Sequence, residues 1–264
     1  MSGKDWHAII LAAGRGPGDP MAKADGVANK CVIEIGGVPM LARVAAALAK
    51  SGRVASCLVS IEREAIASEI LGDKARTIVA ADSAPASVLK AVTSGAITYP
   101  VLITTGDHAL LTPEMVRHFC SEADVSGADF CAGLARAETI LLAYPQSVRT
   151  FFRLGPDRVS GCNLFALRNE RALRLLERWQ YLEPARKKPW RLIAAFGPVA
   201  LTRFLAGSLT LDKAFAIVSN RLGLAARPVI MPFAEAAIDV DKPADKDLAE
   251  TIVAARLNKE APGA

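Results

Sequence analysis

Three stretches of this chain carry residues whose types and spacing could do chemistry. The first is Ile9-Ile10-Leu11-Ala12-Ala13-Gly14-Arg15-Gly16, an apolar run that feeds directly into glycines. Glycines lack the Cβ atoms that keep other backbones at a distance, so their N–H groups can approach a polyanion closely. Arg15 lies inside this turn and Lys30 comes after it, so both could add positive charge. The second stretch is Val101-Leu102-Ile103-Thr104-Thr105-Gly106-Asp107, an apolar run that stops on a carboxylate. The third is Ile238-Asp239-Val240-Asp241-Lys242-Pro243-Ala244-Asp245, in which alternation puts Asp239 and Asp241 on the same side of an extended segment. Carboxylates are hard oxygen donors suited to Mg²⁺, which keeps water and phosphate oxygens among its ligands. The combination reads as phosphate-bearing chemistry assisted by a divalent ion.

Residues of this kind need a scaffold that brings distant segments together, and the chain has the signals of one. Short apolar runs at Ala8–Ala12, Val54–Ile61, Thr77–Ala80, Val101–Thr105 and Phe130–Leu134 alternate with helical patterns at Pro39–Lys50, Glu64–Leu71, Ser87–Gly95 and onward from Thr112-Pro113. Repeated β-α units predict an α/β fold, with a mostly parallel central sheet flanked by helices. Such sheets place ligands at the carboxyl ends of their strands, where Gly14 and Asp107 both fall. Further on, Gly155-Pro156-Asp157 reads as a tight turn, Cys162–Leu167 and Ala225–Met231 as strands, and Asp245–Leu257 as a closing helix. Between them, residues 169–222 form a helical insertion before the last strands. One domain over residues 1–264 is the simplest organisation, with the insertion as an acceptor lobe or an interface.

The glycine turn does not match a Walker A loop, which needs G-x-x-x-x-G-K-[ST]. A dinucleotide fingerprint needs a helix at once, whereas Pro17-Gly18-Asp19-Pro20 favours a long loop. The next residues narrow the reading: Lys30, an extended Val32–Ile35, the turn Gly36-Gly37, then Pro39-Met40-Leu41 entering a helix. With Asn29-Lys30 and Ile35-Gly36-Gly37-Val38-Pro39-Met40-Leu41 behind Leu11-Ala12-Ala13-Gly14-x-Gly16, the chain resembles the nucleotidyltransferase superfamily of glycosyltransferase-A-like (nucleotide-diphospho-sugar transferase-like) fold. It is most similar to proteins related to the molybdenum-cofactor guanylyltransferases. The segment from Arg149-Thr150-Phe151 to Gly161-Cys162-Asn163-Leu164 extends the resemblance.

The resemblance implies a Mg²⁺-dependent transfer of a nucleoside monophosphate from an NTP, CTP or GTP first, to a phosphorylated small molecule or lipid headgroup, with release of pyrophosphate. It puts Leu11, Ala12, Ala13, Gly14, Gly16 and Lys30 around the triphosphate, with Gly106 and Asp107 at the metal. Asp241 is the favoured second metal ligand, Asp239 its substitute, and Asp245 a cap for the last helix. Asp82 and Ser87 fall where the family reads the nucleobase, although Ser87 also suits a helix cap. Asn163 falls near the acceptor or the ribose, and equally suits a turn. Two departures are visible. The family's loop arginine is replaced by Gly18, which leaves Arg15 or Lys23 to supply charge, and a proline after the metal aspartate is replaced by Ala109. They keep two other readings open: a nucleotide-binding protein without turnover, and a nucleotide-sugar glycosyltransferase.

Composition excludes more than it selects. A net charge of +5 suits an anionic ligand without requiring one, and no nucleic-acid module is recognisable. The five cysteines form no C-x-x-C pair and, with no signal-peptide pattern at the start, point to a cytoplasmic setting. Leu192–Leu211 is broken by Gly197-Pro198 and Arg203, a poor membrane span and a plausible pair of buried helices. Arg168, Arg171, Arg174, Arg178, Arg186, Lys187, Lys188 and Arg191 read as a solvated face, an acidic-acceptor site or a peripheral contact with anionic lipid. Trp179, Trp190 and Phe196 could anchor that contact, the core or a homodimer.

Overall fold

A computed structural model describes residues 6–14, 18–72, 76–182, 193–195 and 197–260. Its core is an eight-stranded sheet. The main path runs β10 (Ala226–Ile230), β7 (Phe130–Arg136), β9 (Asp157–Leu167), β6 (Val101–Thr105), β1 (Trp6–Leu11), β4 (Val54–Ile61), β5 (Arg76–Val79), and β8 (Phe152–Leu154) pairs with β9 off this path. β1 is parallel to both β4 and β6, β4 to β5, and β10 to β7. β9 alone runs against its neighbours β6, β7 and β8. The expected mostly parallel α/β sheet is therefore present. Strands buried on both faces have to be apolar nearly throughout, and Trp6, Ala8, Ile9 and Ile10 of β1 and Val101, Leu102 and Ile103 of β6 are all buried. Pro228 is tolerated because β10 is an edge strand.

Each face of the sheet has its own core. On one, Leu41, Val44 and Leu48 of helix Met40–Lys50 and Met115, Val116 and Phe119 of helix Pro113–Ser126 pack with Ile10 and Leu102. On the other, Val88 and Ala91 of helix Ala84–Thr93 and Leu176 of helix Leu173–Leu182 pack with Ile9, Val101 and Leu167. Phe215, Val218 and Leu222 of helix Leu211–Leu222 join this second face. A third cluster joins Met21, Ile33, Ile35 and Met40 to Ile238, Val240 and Ile252. It packs Ala249, Ile252 and Val253, in the middle of the last helix, Pro243–Glu260, against the segment that follows the turn after β1.

Several local expectations shift for identifiable reasons. Helix Ala84–Thr93 starts three residues earlier than expected, because Ser83, not Ser87, accepts the Ala86 N–H as its cap. The expected strand at Val32–Ile35 becomes a 3-10 turn at Lys30–Val32 followed by a hairpin of β2 (Glu34–Ile35) and β3 (Val38–Pro39). Gly36 and Gly37 make its two-residue turn at φ of 60° and 69°. A Cβ on Gly36 would lie 2.6 Å from Val253 Cγ1, so glycine is needed there for space as well as for conformation. Among the described residues only β10 comes after the helical segment, where more than one strand was expected.

The expected burial of the apolar run Leu192–Leu211 holds only in part among the described residues, with Leu209 and Leu211 buried. In helix Pro198–Leu205 only Ala200 is buried, while Val199 and Leu205 are largely exposed. Among the described residues no helix is long and apolar enough to cross a membrane. Arg171, Arg174 and Arg178 are exposed, as a solvated face requires, and several of the arginines also bind backbone carbonyls. Arg174 donates to the carbonyls of Leu222 and Gly223, Arg178 to that of Ala195, and Arg168 to those of Ala123 and Asp124. A cation at helix C-terminal carbonyls is favoured by the partial negative charge there. Arg186, Lys187, Lys188, Trp190, Arg191 and Phe196 lie outside the described residues.

Candidate active site

The carboxyl ends of β1, β4, β5 and β6 lie side by side, and the backbone stitches them together. Ala12 N–H donates to Ser60 O at 2.8 Å, Gly106 N–H to Leu11 O at 2.9 Å and Ala80 N–H to Ile61 O at 3.0 Å. Gly106 has no room for a side chain: a Cβ would lie 2.7 Å from Cys31 Sγ and 3.1 Å from Ala12 Cβ. The contact sets Asp107 close to the turn after β1. The sequence-predicted Leu11, Ala12, Gly106 and Asp107 thus meet at one sheet edge, joined by Lys30.

Lys30 gets there through Asn29. The Asn29 side chain caps the 3-10 turn, accepting from Cys31 N–H at 2.7 Å and donating to Ala12 O at 2.8 Å. The Lys30 ammonium then sits between two carboxylates, 2.6 Å from Asp107 Oδ2 and 2.6 Å from Asp241 Oδ1. Burial opposes the charge on Lys30, but Asp107 and Asp241 outweigh that penalty and leave its pKa above the ordinary lysine value. Asp107 Oδ1 is buried and has no hydrogen-bond partner among the described residues.

Gly14 lies at the same edge. Its N–H donates to Glu62 Oε2 at 3.0 Å, and the Glu62 carboxylate also accepts from Asn29 Nδ2 at 2.9 Å. Ala13 is exposed beside it. Arg15 and Gly16, the remaining loop candidates, lie outside the described residues. Of the nucleobase candidates, Asp82 is exposed in the loop after β5, but Ser87 is buried. The Ser87 hydroxyl accepts from Ala81 N–H at 3.0 Å and donates to Ser83 O at 2.9 Å, so it shapes that loop from within.

Asp239 and Asp241 reach the site because Val240 N–H donates to Asp107 O at 3.2 Å. Their side chains have different partners. Asp241 bonds Lys30, whereas Asp239 is bonded by Arg149 Nη1 at 2.8 Å and by Asn163 Nδ2 at 3.3 Å. Burial, then the charges of Asp107 and Asp241, push the Asp239 pKa up, and Arg149 opposes them. Arg149 Nη2 also bonds Asp245 Oδ1 at 2.7 Å. The other oxygen of Asp245 accepts the N–H groups of Asp241 and Lys242, so Asp245 caps the last helix by reaching back from its first turn. Asn163 sits in β9 with φ of 49°, beside the register shift of the β7–β9 ladder. Asparagine is one of the few residues that tolerates this left-handed conformation.

Asn29 and Arg149 therefore take part in the site although sequence reasoning singled them out only as parts of larger matching segments. Glu62 was missed altogether. Arg149 stands 90 residues before Asp239 and 96 before Asp245, and no local pattern signals a pairing at that distance.

His108 is next to Asp107 but is built as a structural residue. It is 1% exposed, and its Nδ1 lies 3.5 Å from Thr104 Oγ1. Burial lowers its pKa from 6.5 to about 4, with Asp107 only partly opposing. Between these two values the unfolded chain binds more protons than the folded one, so stability should fall as pH drops from about 6.5 towards about 4. Urea unfolding at pH 7 and pH 5 should show that loss in the wild type and a smaller loss in His108→Gln, which cannot take up the proton. Equal losses would mean that His108 does not titrate across this window.

The donor set fits a divalent cation. Oxygens of Asp107 and Asp241 converge on a single point now taken by an ammonium, and the second oxygen of Asp107 is unpaired among the described residues. Mg²⁺ commonly takes one or two protein carboxylates and completes its shell with water and phosphate. Among the described residues no group of three or more His, Cys, Asp or Glu side chains forms a complete metal cage.

Comparison with known proteins bears on the same elements. A hypothetical transferase from Thermus thermophilus is 26% identical, with 91% of this chain and 99% of that one covered and a TM-score of 0.77. CMP:2-keto-3-deoxy-manno-octonic acid synthetase complexed with CTP matches in fold at a TM-score of 0.59 and 14% identity, over 96% of this chain and 99% of that one. The 2-C-methyl-D-erythritol 4-phosphate cytidylyltransferase from Thermus thermophilus does so at 0.53 and 18%, over 94% and 98%. No curated protein sequence matches at a significant level. The MobA-like NTP transferase domain profile matches residues 8–192, from β1 and its glycine turn through Lys30, Asp107 and Asn163, and the chain belongs to that family.

Proposed function

We propose that this protein is a Mg²⁺-dependent nucleotidyltransferase that joins a nucleoside monophosphate from an NTP to a phosphorylated acceptor. The observation that carries the reading is the convergence of Lys30, Asp107 and Asp241 on one point at the strand ends, in a member of the MobA-like NTP transferase family. In this reading the backbone after β1, including the Gly14 N–H, cradles the triphosphate, and Lys30 binds its phosphate oxygens. Asp107 and Asp241 would hold Mg²⁺, which would supply charge neutralisation and orientation at the α-phosphorus. An acceptor phosphate oxygen forms the new bond to that phosphorus, and the bond to the bridging oxygen breaks to release pyrophosphate. The acceptor phosphate is largely ionised at neutral pH, with a second pKa of about 6, so the residues need not remove a proton. The buried, proton-poor His108 is consistent with that economy. Asp239, tied to Arg149 and Asn163, orients the segment that carries Asp241. We place the protein in the cytoplasm, where its free thiols stay reduced.

The test is pyrophosphate release from CTP, GTP, UTP and ATP against phosphorylated sugars, polyols and lipid headgroups. CTP heads the panel because structural neighbours include a cytidylyltransferase and a synthetase complexed with CTP; GTP comes second, from the MobA-like resemblance. Release that requires both acceptor and Mg²⁺ is the expected outcome. Tight binding of an NTP with no release across the panel would favour a nucleotide-binding protein without turnover. Transfer of sugar from a nucleotide-sugar would instead favour the glycosyltransferase reading.

A further inference from the structure

Lys30 stands at the place where a divalent cation is wanted, and it is itself a cation. Its Nζ is 2.6 Å from an oxygen of Asp107 and 2.6 Å from an oxygen of Asp241. The Lys30 and Asp107 side chains are only 10% and 15% exposed, so water screens this contact weakly. Hydrogen bonds this short leave no space for an ion between the ammonium and either oxygen. An ion bound through Asp107 Oδ1 would still face the ammonium across a single carboxylate. The two cations therefore compete for the Asp107–Asp241 pair.

We propose that Lys30 competes with the divalent cation in the nucleotide-free protein, holding Asp107 and Asp241 closed so that the ion enters as its nucleotide complex and not alone. The incoming phosphates supply what the carboxylates lose. They give the ammonium a new set of anionic oxygens, and the ion then takes the carboxylates that Lys30 has released. No covalent step is involved. Gly14 shows the complementary arrangement: the Glu62 carboxylate occupies its N–H at 3.0 Å, so the unliganded edge satisfies a phosphate-facing donor internally as well. The inference rests on the nucleotidyl-transfer reading of the site and names the species that must enter it.

Mn²⁺ binding without nucleotide, monitored by electron paramagnetic resonance of the free ion, tests this directly, since oxygen-rich sites accept Mn²⁺ as they do Mg²⁺. Wild type and Lys30→Arg, which keeps the charge, should bind Mn²⁺ weakly. Lys30→Met should bind it at least about tenfold more tightly, because one nearby positive charge is gone. Adding Asp107→Asn to Lys30→Met should remove the gain. Lys30→Gln serves as a second uncharged variant should the methionine one not fold, as judged by circular dichroism. Folded Lys30→Met or Lys30→Gln with no tighter Mn²⁺ binding, or a gain that survives Asp107→Asn, would overturn the proposal. The measurement needs no substrate. A gain in a protein that turns over no NTP would uphold the competition and sink the assigned reaction; NTP turnover without a gain would do the reverse.

Discussion

Asp107→Asn should lose most of its pyrophosphate release while remaining folded. The substitution keeps the shape of the side chain and removes one negative charge. That charge is one of two that converge on Lys30 Nζ, and its second oxygen is buried without a hydrogen-bond partner among the described residues. A triphosphate brings more negative charge than Lys30 and the loop N–H groups can balance, so the carboxylates are needed to hold a divalent ion there. Losing one electrostatic contact in such a site typically costs about 3–4 kcal/mol, or roughly 10²–10³ in rate. The measurement is steady-state release across a Mg²⁺ titration, once the substrate panel has produced an active pair. Near-wild-type rates at low Mg²⁺ would reduce Asp107 to a strand-end residue with no part in the reaction.

Arg149→Met should have the largest effect on stability of any single change near the site. Its side chain is 7% exposed, and the guanidinium bonds both Asp239 and Asp245. Methionine would keep most of the stem and leave two partly buried carboxylates without their shared counter-ion. Breaking a buried pair in this way typically costs 3–5 kcal/mol; about 3 is expected here, because the Asp239 side chain keeps 28% of its exposure. For a chain of this size that lowers Tm by roughly 6–12 °C. The deficit should depend on pH. The Asp239 pKa is already raised by burial and by Asp107 and Asp241, and Arg149 is the group that opposes them. Without Arg149 it rises further, so the folded variant holds a proton that the unfolded chain has released. Stability is then lost as pH climbs through the raised pKa, and the gap from wild type should be wider at pH 7 than at pH 4.5. Melting curves at the two pH values would show it. An unchanged Tm at pH 7 would mean that Asp239 and Asp245 find other partners.

The residues themselves determined the strands and most of the helices. The apolar runs that became β1, β4 and β6 could be read because a strand buried on both faces must be apolar along its length. Gly106 beside Asp107 and the Asp239/Asp241 alternation were equally legible, since strand ends and period-two spacing are local properties. Tertiary structure decided which of these groups meet. Lys30 and Asp241 are 211 residues apart and Arg149 and Asp239 are 90 apart, and nothing in either neighbourhood names its partner. The resemblance ranked Asp241 above Asp239 as a metal ligand, but the partners that set the two carboxylates apart were not legible in the sequence, where both lie on one side of a segment. The difference arises because the chain folds Arg149 and Asn163 against Asp239 and Lys30 against Asp241. Ser87 shows the same limit at short range: its type suited either a cap or a ligand contact, and only the path of the Ala81–Ser83 loop turned its hydroxyl inward. Local pattern sets what a segment can become, whereas charge pairing at a site depends on long-range packing that brings oppositely charged groups into a weakly screened space.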